Sequence, residues 1–262
     1  MISTAVSILM SADYFFLILL RMGGLVFSSP IFGRVNIPII AKLGLITSLT
    51  YLMFILFPQT VAIHYSTLLG FVLLCAGELL LGMALAYVTN VFFSLTAFTA
   101  GQLIDMQIGF GIVNVFDAQN NTQVPMMGNV LNIMFVLVFF TVEGHLRLIE
   151  IVYLTIERMP MGTLVFSATI GWTALEIFIR AFMLGVMIAL PIIASGLTLE
   201  IAFGMMMRAV PQIHMFIVGI PMKMLVGLII FVVTLPVFGR FSARVFDELF
   251  LGIEKMFANF IN

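Results

Sequence analysis

From Leu68 to Ile104 the chain carries a single charged side chain, Glu78, in an otherwise apolar or uncharged run. A continuous helix over that run would approach ~56 Å at 1.5 Å per residue, whereas a bilayer's hydrocarbon core is only ~30 Å thick. Such a segment has to bend, fold into a hairpin or leave the bilayer. It contains Gly70, Gly77, Gly82 and Gly101 but no proline, which favours one long, bent helix over a hairpin. A second over-long run, Leu164 to Leu199, has a kink point at Pro191. Other runs of bilayer-crossing length are residues 14–32, 39–57, 126–142 and 213–238. With 63% hydrophobic residues, 9% charged residues and 27 Phe, and a mean hydropathy of +1.24, the chain is too apolar to hide its side chains in one soluble core. The expected class is an all-α membrane protein of about six long hydrophobic helical segments, some bent or over-long.

Several function classes are excluded early. Eleven Lys and Arg against 12 Asp and Glu give a net charge of -1, so no basic excess attracts nucleic acid; membrane lipid is the expected surrounding. Cys75 is the only cysteine, and His64, His145 and His214 stand far apart, so neither a metal site nor a redox cofactor is signalled. No nucleophile-base order, zinc-binding helix or phosphate-cradling glycine motif occurs, and no catalytic residue is assigned. The first residues, MISTAVSILMSADYFFLILL, have no Lys or Arg before the apolar run and no small-residue cleavage site; they lack the form of a cleaved signal peptide and are expected to stay attached.

Two segments are amphipathic. Residues 143–158 read as a helix with Glu143 and Arg147 at i,i+4. In residues 241–262, Val245, Leu249, Ile253, Phe257 and Phe260 fall on one face, suited to a membrane surface, a partner, or the chain's own bundle. Arg34 and Lys42 flank one loop, but no other short loop shows a clear Lys and Arg excess, so the sequence does not set an orientation.

Ionisable groups within apolar segments cost ~2.5–3.5 kcal/mol each on insertion scales. Glu78, Glu176, Arg180, Glu200 and Arg208 are the candidates for buried charges. Glu176 and Arg180, four apart, can neutralise one another on a helix face. Glu78 and Arg21 have no partner nearby in sequence, so theirs lie on another helix, another subunit, or in water. A short echo, IPIIAKLGLI at 37–46 and IPMKMLVGLI at 220–229, is the kind of pairing that an inverted-repeat transporter shows. With Glu78, Glu176 and Arg180 it motivates a secondary transporter as a rival reading.

The stretch GQLIDMQIGFGIVNVFDAQNNTQVPM, residues 101–126, interrupts two apolar runs. In the patch Met106, Ile108, Gly109, Phe110, Gly111, Ile112, Val113, Val115 and Phe116 no residue is charged, and the glycine spacing suits an extended or turning backbone better than helix. Non-helical backbone cannot face lipid; it sits within protein, lines a water-filled path, or lies outside the bilayer. An uncharged, glycine-flexible loop can close a pore by dewetting. An ordinary solvent-side loop is the alternative.

Together with PIFGRVNIPIIAKLGL (30–45), EGHLRLI (143–149) and RAVPQIHMFIVGIPMK (208–223), this block resembles the FliR family, the R component of the flagellar type III export gate, which is similar to the T component of virulence type III systems. The resemblance implies a hetero-oligomeric gate with P and Q components, FlhB-type and FlhA-type export components nearby, and secreted flagellar proteins as substrate. It implies placement in the bacterial inner membrane at the flagellar basal body. It further implies a fusion of a P-like part, residues 1–164, with a Q-like helical hairpin, residues 165–262, and a movable, channel-closing plug in the loop at residues 106–122, carried by motif position onto Gly109, Phe110, Gly111, Val113 and Phe116. The corresponding injectisome gate shares these physical requirements and stays open as an alternative.

Overall fold

The computed structural model describes residues 2–58, 65, 67–110, 126–163, 167–209 and 215–260, with side chains from residue 12 onward except those of 215–217. Every described regular element is helical. They are α1 (Ile2–Ser28), α2 (Ile39–Leu56), α3 (Leu68–Asn90), a π-helical turn (Val91–Leu95), α4 (Thr96–Ile108), α5 (Met126–Thr141), α6 (Gly144–Arg158), α7 (Ile170–Ala209) and α8 (Met215–Ala258). The chain is an all-α membrane protein. Among the described residues four helices are long and apolar enough to cross a membrane: Ile39–Leu56, Leu68–Ile108, Ile170–Ala209 and Val218–Ala258. The bent pair α5 and α6 adds at most a fifth, because α5 alone, at 16 residues, reaches only ~24 Å.

Local chemistry sets the boundaries. Pro38 stands at the N-cap of α2, at φ -56° and ψ 141°, its ring fixing φ and its missing N–H costing no helical bond. Thr67 caps α3, its Oγ1 accepting from the Gly70 N–H at 3.2 Å. The run read as long and bent stays helical from Leu68 to Ile108, with the hydrogen-bond register widening to π spacing at Val91–Leu95. Pro191 lies inside α7, and Pro221 and Pro236 inside α8.

Three sequence expectations change. Glu143 is not a helical partner of Arg147: it adopts a left-handed conformation, φ 57°, that separates α5 from α6. The Arg147 guanidinium stands over the Phe250 ring, 5.1 Å from its centroid. The amphipathic C-terminal segment is no separate helix but the continuation of α8, and Val245, Leu249, Ile253, Phe257 and Phe260 are all buried within the chain. That outcome favours the bundle-packing reading of this face. In the echo, Pro38 opens a helix whereas Pro221 lies inside one, so the two segments are not structural equivalents.

The chain forms two compact units, each assembled from separate stretches. Unit 1 comprises residues 1–91, 143–177 and 248–262; unit 2 comprises residues 92–142 and 178–247. In unit 1, α1 and α3 meet at glycines: a Cβ on Gly24 would strike the Leu79 carbonyl, and one on Gly82 the Arg21 carbonyl. Close approach of this kind strengthens dispersion contacts where the surrounding medium is itself apolar. Near the start of α7 and the end of α8, Lys255 Nζ donates to Glu176 Oε1 at 3.1 Å and Asn259 Nδ2 to Thr173 Oγ1 at 2.8 Å. In unit 2 the core is aromatic, with Phe93, Phe135, Phe139 and Phe246 in tilted and edge-to-face contacts at centroid separations of 5.2–6.1 Å.

Candidate functional site

The base of the glycine-spaced stretch is well enclosed within unit 2. Along α4, Thr96, Ala97, Thr99, Ala100, Gly101, Ile104, Asp105 and Ile108 are all buried. Three helices each bring a glycine to this face. Gly101 of α4 meets Gly128 of α5 backbone to backbone, so that a Cβ at 101 would overlap the Gly128 N and Cα. Gly185 of α7 lies against Thr99, and Gly227 of α8 against Ile108. Small residues thus seat α4 by letting α5, α7 and α8 approach it. Thr96 Oγ1 adds a hydrogen bond to the Ala181 carbonyl at 3.1 Å.

Helix α4 ends at Gly109, whose φ of 97° is left-handed and whose N–H donates to the Asp105 carbonyl at 3.0 Å. Glycine occupies that conformation at no steric cost, which is why it stops a helix here. The side chain of Asp105 does a second job. Only 2% exposed, its two carboxylate oxygens accept the Met127 N–H at 3.2 and 3.3 Å. Met127 is in the first turn of α5, where backbone N–H groups have no intrahelical acceptor, so α4 caps α5 from outside. A 310 Å³ cavity adjoins this framework, lined by Ile104, Leu131, Pro191 and Phe238 among others.

The plug residues divide at the glycine. Met106 and Ile108 are helical, contrary to the expectation of non-helical backbone from residue 106, because the apolar periodicity of α4 holds until Gly109 breaks it. Ile108 is fully buried, while Met106 is 64% exposed. Phe110, on the far side of the glycine, is also helical, again contrary to that expectation, and half-buried. Gly111, Ile112, Val113, Val115 and Phe116 lie outside the described residues.

Among the five candidate buried charges, only Glu78 is buried in the chain. It and Arg21 are each other's partner across unit 1: Arg21 Nε donates to Glu78 Oε2 at 2.7 Å, and a second guanidinium nitrogen lies 2.6 Å from the same oxygen. Arg21 also donates to the carbonyls of Thr155 and Met159 at 3.0 and 3.4 Å, while Glu78 Oε1 accepts from the Gly162 N–H at 3.0 Å. The pair therefore ties α1, α3 and the end of α6 together, and it no longer argues for a neighbouring subunit. Glu176 and Arg180 are exposed, as is Arg208; Glu200 is partly exposed and forms an ion pair with Lys223 of α8. Since both ends of the Glu176–Lys255 pair are about half exposed, Glu176→Gln is expected to change stability by less than ~1 kcal/mol, as read from thermal unfolding in mild detergent.

Asp105 carries no sequence signal of its role, since its acceptor function depends on a backbone N–H 22 residues later. Arg21 and Glu78, 57 apart, likewise carry no local mark of pairing.

Known proteins place these features in a family. The family described as bacterial export proteins, family 1, matches residues 12–249. Flagellar biosynthetic protein FliR of Pectobacterium carotovorum subsp. carotovorum is 30% identical over 240 residues, covering 90% of this chain and 89% of that protein. Its counterpart from Escherichia coli (strain K12) is 29% identical over 239 residues, 91% of this chain and 90% of that protein. That from Bacillus subtilis (strain 168) is 28% identical over 249 residues, 92% of each.

Proposed function

This chain belongs to family 1 of the bacterial export proteins, the FliR family, and on that premise we propose that it is a structural channel component of the flagellar type III export gate. In this reading it has no catalytic activity of its own. It assembles in the bacterial inner membrane at the flagellar basal body with P and Q components, adjacent to FlhB-type and FlhA-type export components. The assembly passes unfolded flagellar proteins. Residues 1–164 correspond to a P-like part and residues 165–262 to a Q-like hairpin.

The observation that carries the reading is the left-handed helix stop at Gly109, at the end of a helix seated by close glycine crossings. A segment that starts from a left-handed glycine can pivot there at low cost, while α4 and α5 on either side are held in place by unit 2. An apolar segment so mounted excludes water and ions when it lies across a path and gives way to a passing chain. The transporter reading has lost its motivation: Glu78 is engaged by Arg21, Glu176 is exposed, and the 37/220 echo is not a structural repeat.

Deleting Gly109 to Phe116 is expected to leave the gate assembled and to make the membrane leaky to ions. The check is ion conductance across membranes containing the gate, with co-purification of the P and Q components as the assembly control. A tight membrane with normal export would remove the plug from this account.

A further inference from the structure

We propose that Asp105 is a positioning residue that fixes the two described ends of the interrupted stretch against each other, holding the start of α5 to the end of α4. The proposal rests on the seal reading for its functional consequence, and on its own geometry for everything else. Among the described residues Asp105 is a buried ionisable side chain, and its carboxylate is met by the Met127 backbone N–H. A side-chain oxygen placed at a helix N-terminus satisfies one of the orphan N–H groups there. Its backbone carbonyl accepts the N–H of Gly109, so one residue holds both the left-handed stop of α4 and the first turn of α5. Four residues earlier on the same helix, Gly101 lies against Gly128; cap and crossing are thus two adjacent attachments between the same helices. The base of the segment is set by these two attachments, and of the two only the cap is made by a side chain.

A capping role needs an acceptor oxygen and not a charge, because Asn caps about as well as Asp. A proton-carrying role needs the ionisable group. In a Cys75→Ser background, a reporter Met127→Cys sits at a position 6% exposed in the parent, and its modification by a membrane-permeant maleimide reads opening of the start of α5. The full chain in its assembled gate is used. Asp105→Ala is expected to speed modification about tenfold, the change that loss of a strong cap gives, while Asp105→Asn stays near the parent rate. An unchanged rate in Asp105→Ala overturns the proposal. An equal acceleration in both variants overturns it as well, since the charge and not the acceptor is then what matters. Should Asp105→Ala fail to accumulate, Asp105→Asn carries the test: a parent-like rate supports capping and a faster one refutes it. Ion conductance of the same membranes is recorded separately. Faster labelling without leak leaves the positioning role standing and counts against the seal, whereas a leaky Gly109–Phe116 deletion beside unchanged Asp105→Ala labelling does the reverse.

Discussion

Glu78→Ala and Arg21→Ala are each expected to cost ~3–5 kcal/mol, the usual penalty for leaving one member of a buried ion pair without the other. Both side chains are at most 1% exposed, so the survivor is left buried without its ionic partner. The loss extends beyond the pair, because Arg21 also satisfies the carbonyls of Thr155 and Met159 and Glu78 the N–H of Gly162. Gly162 sits at φ 83°, a turn that holds its N–H towards Glu78. The double variant Arg21→Met, Glu78→Leu removes both charges and fills similar volume, and it is expected to recover much of the loss. Recovery stays incomplete, since the Met159 carbonyl and the Gly162 N–H lose their side-chain partners, while the Thr155 carbonyl keeps the Met159 N–H, and buried unpaired groups cost ~1–3 kcal/mol each. Thermal unfolding in mild detergent, together with the yield of intact chain from membranes, reads the series. Single variants as stable as the parent would mean that the pair is dispensable to unit 1.

The pairing of Arg21 with Glu78 shows where sequence reading stops. That a charge inside an apolar run needs a partner follows from its insertion cost alone, and both residues stand out in the sequence for that reason. Which partner each takes depends on α1 and α3 crossing at Gly24 and Gly82, and no local pattern encodes a crossing point. By contrast, apolar run length read directly as helix: the unbroken Leu68–Ile108 helix and the long α7 were visible because membrane helices need only sustained hydrophobicity. Pro191 marked a kink point but not an end, and Pro221 and Pro236 likewise lie inside a helix, as happens where neighbouring helices restrain the chain around a missing N–H.

At the candidate site the legible part was the glycine. Gly109 announced a break, and the structure places the end of α4 there. The residues just before it were read as extended because alternation of Ile, Gly and Phe mimics a strand period over so few positions, while the helical period of α4 is set further upstream at Ala97, Gly101, Ile104 and Ile108. Asp105 belongs to that helical face as well, one residue on from Ile104. Its meaning appears only when α5 is brought alongside.

Gly101→Ala is the smallest change expected to have a large effect. A Cβ there overlaps the N and Cα of Gly128 and closes on the Met127 carbonyl carbon, all backbone atoms that cannot rotate aside. Overpacking against movable side chains costs ~1–3 kcal/mol, and against two helix backbones the upper end of that range is expected. An uncrowded control lies in the same chain: Gly204, in α7, has nothing within 4 Å of its would-be Cβ, so Gly204→Ala is expected to be stabilising by up to ~1 kcal/mol through helix propensity. The two substitutions add the same methyl to a helical glycine, and only the backbone contact separates them. Opposite shifts in thermal unfolding temperature are therefore the expected result; a Gly101→Ala protein at least as stable as the parent would show that α4 and α5 separate freely. If the crossing is the fulcrum for the Asp105 cap, forcing it apart also lengthens the Asp105–Met127 bonds, and Gly101→Ala should speed maleimide modification at Met127→Cys even with Asp105 in place. Both attachments then fail together, which is the behaviour of two helices held at a single base rather than of two independent contacts.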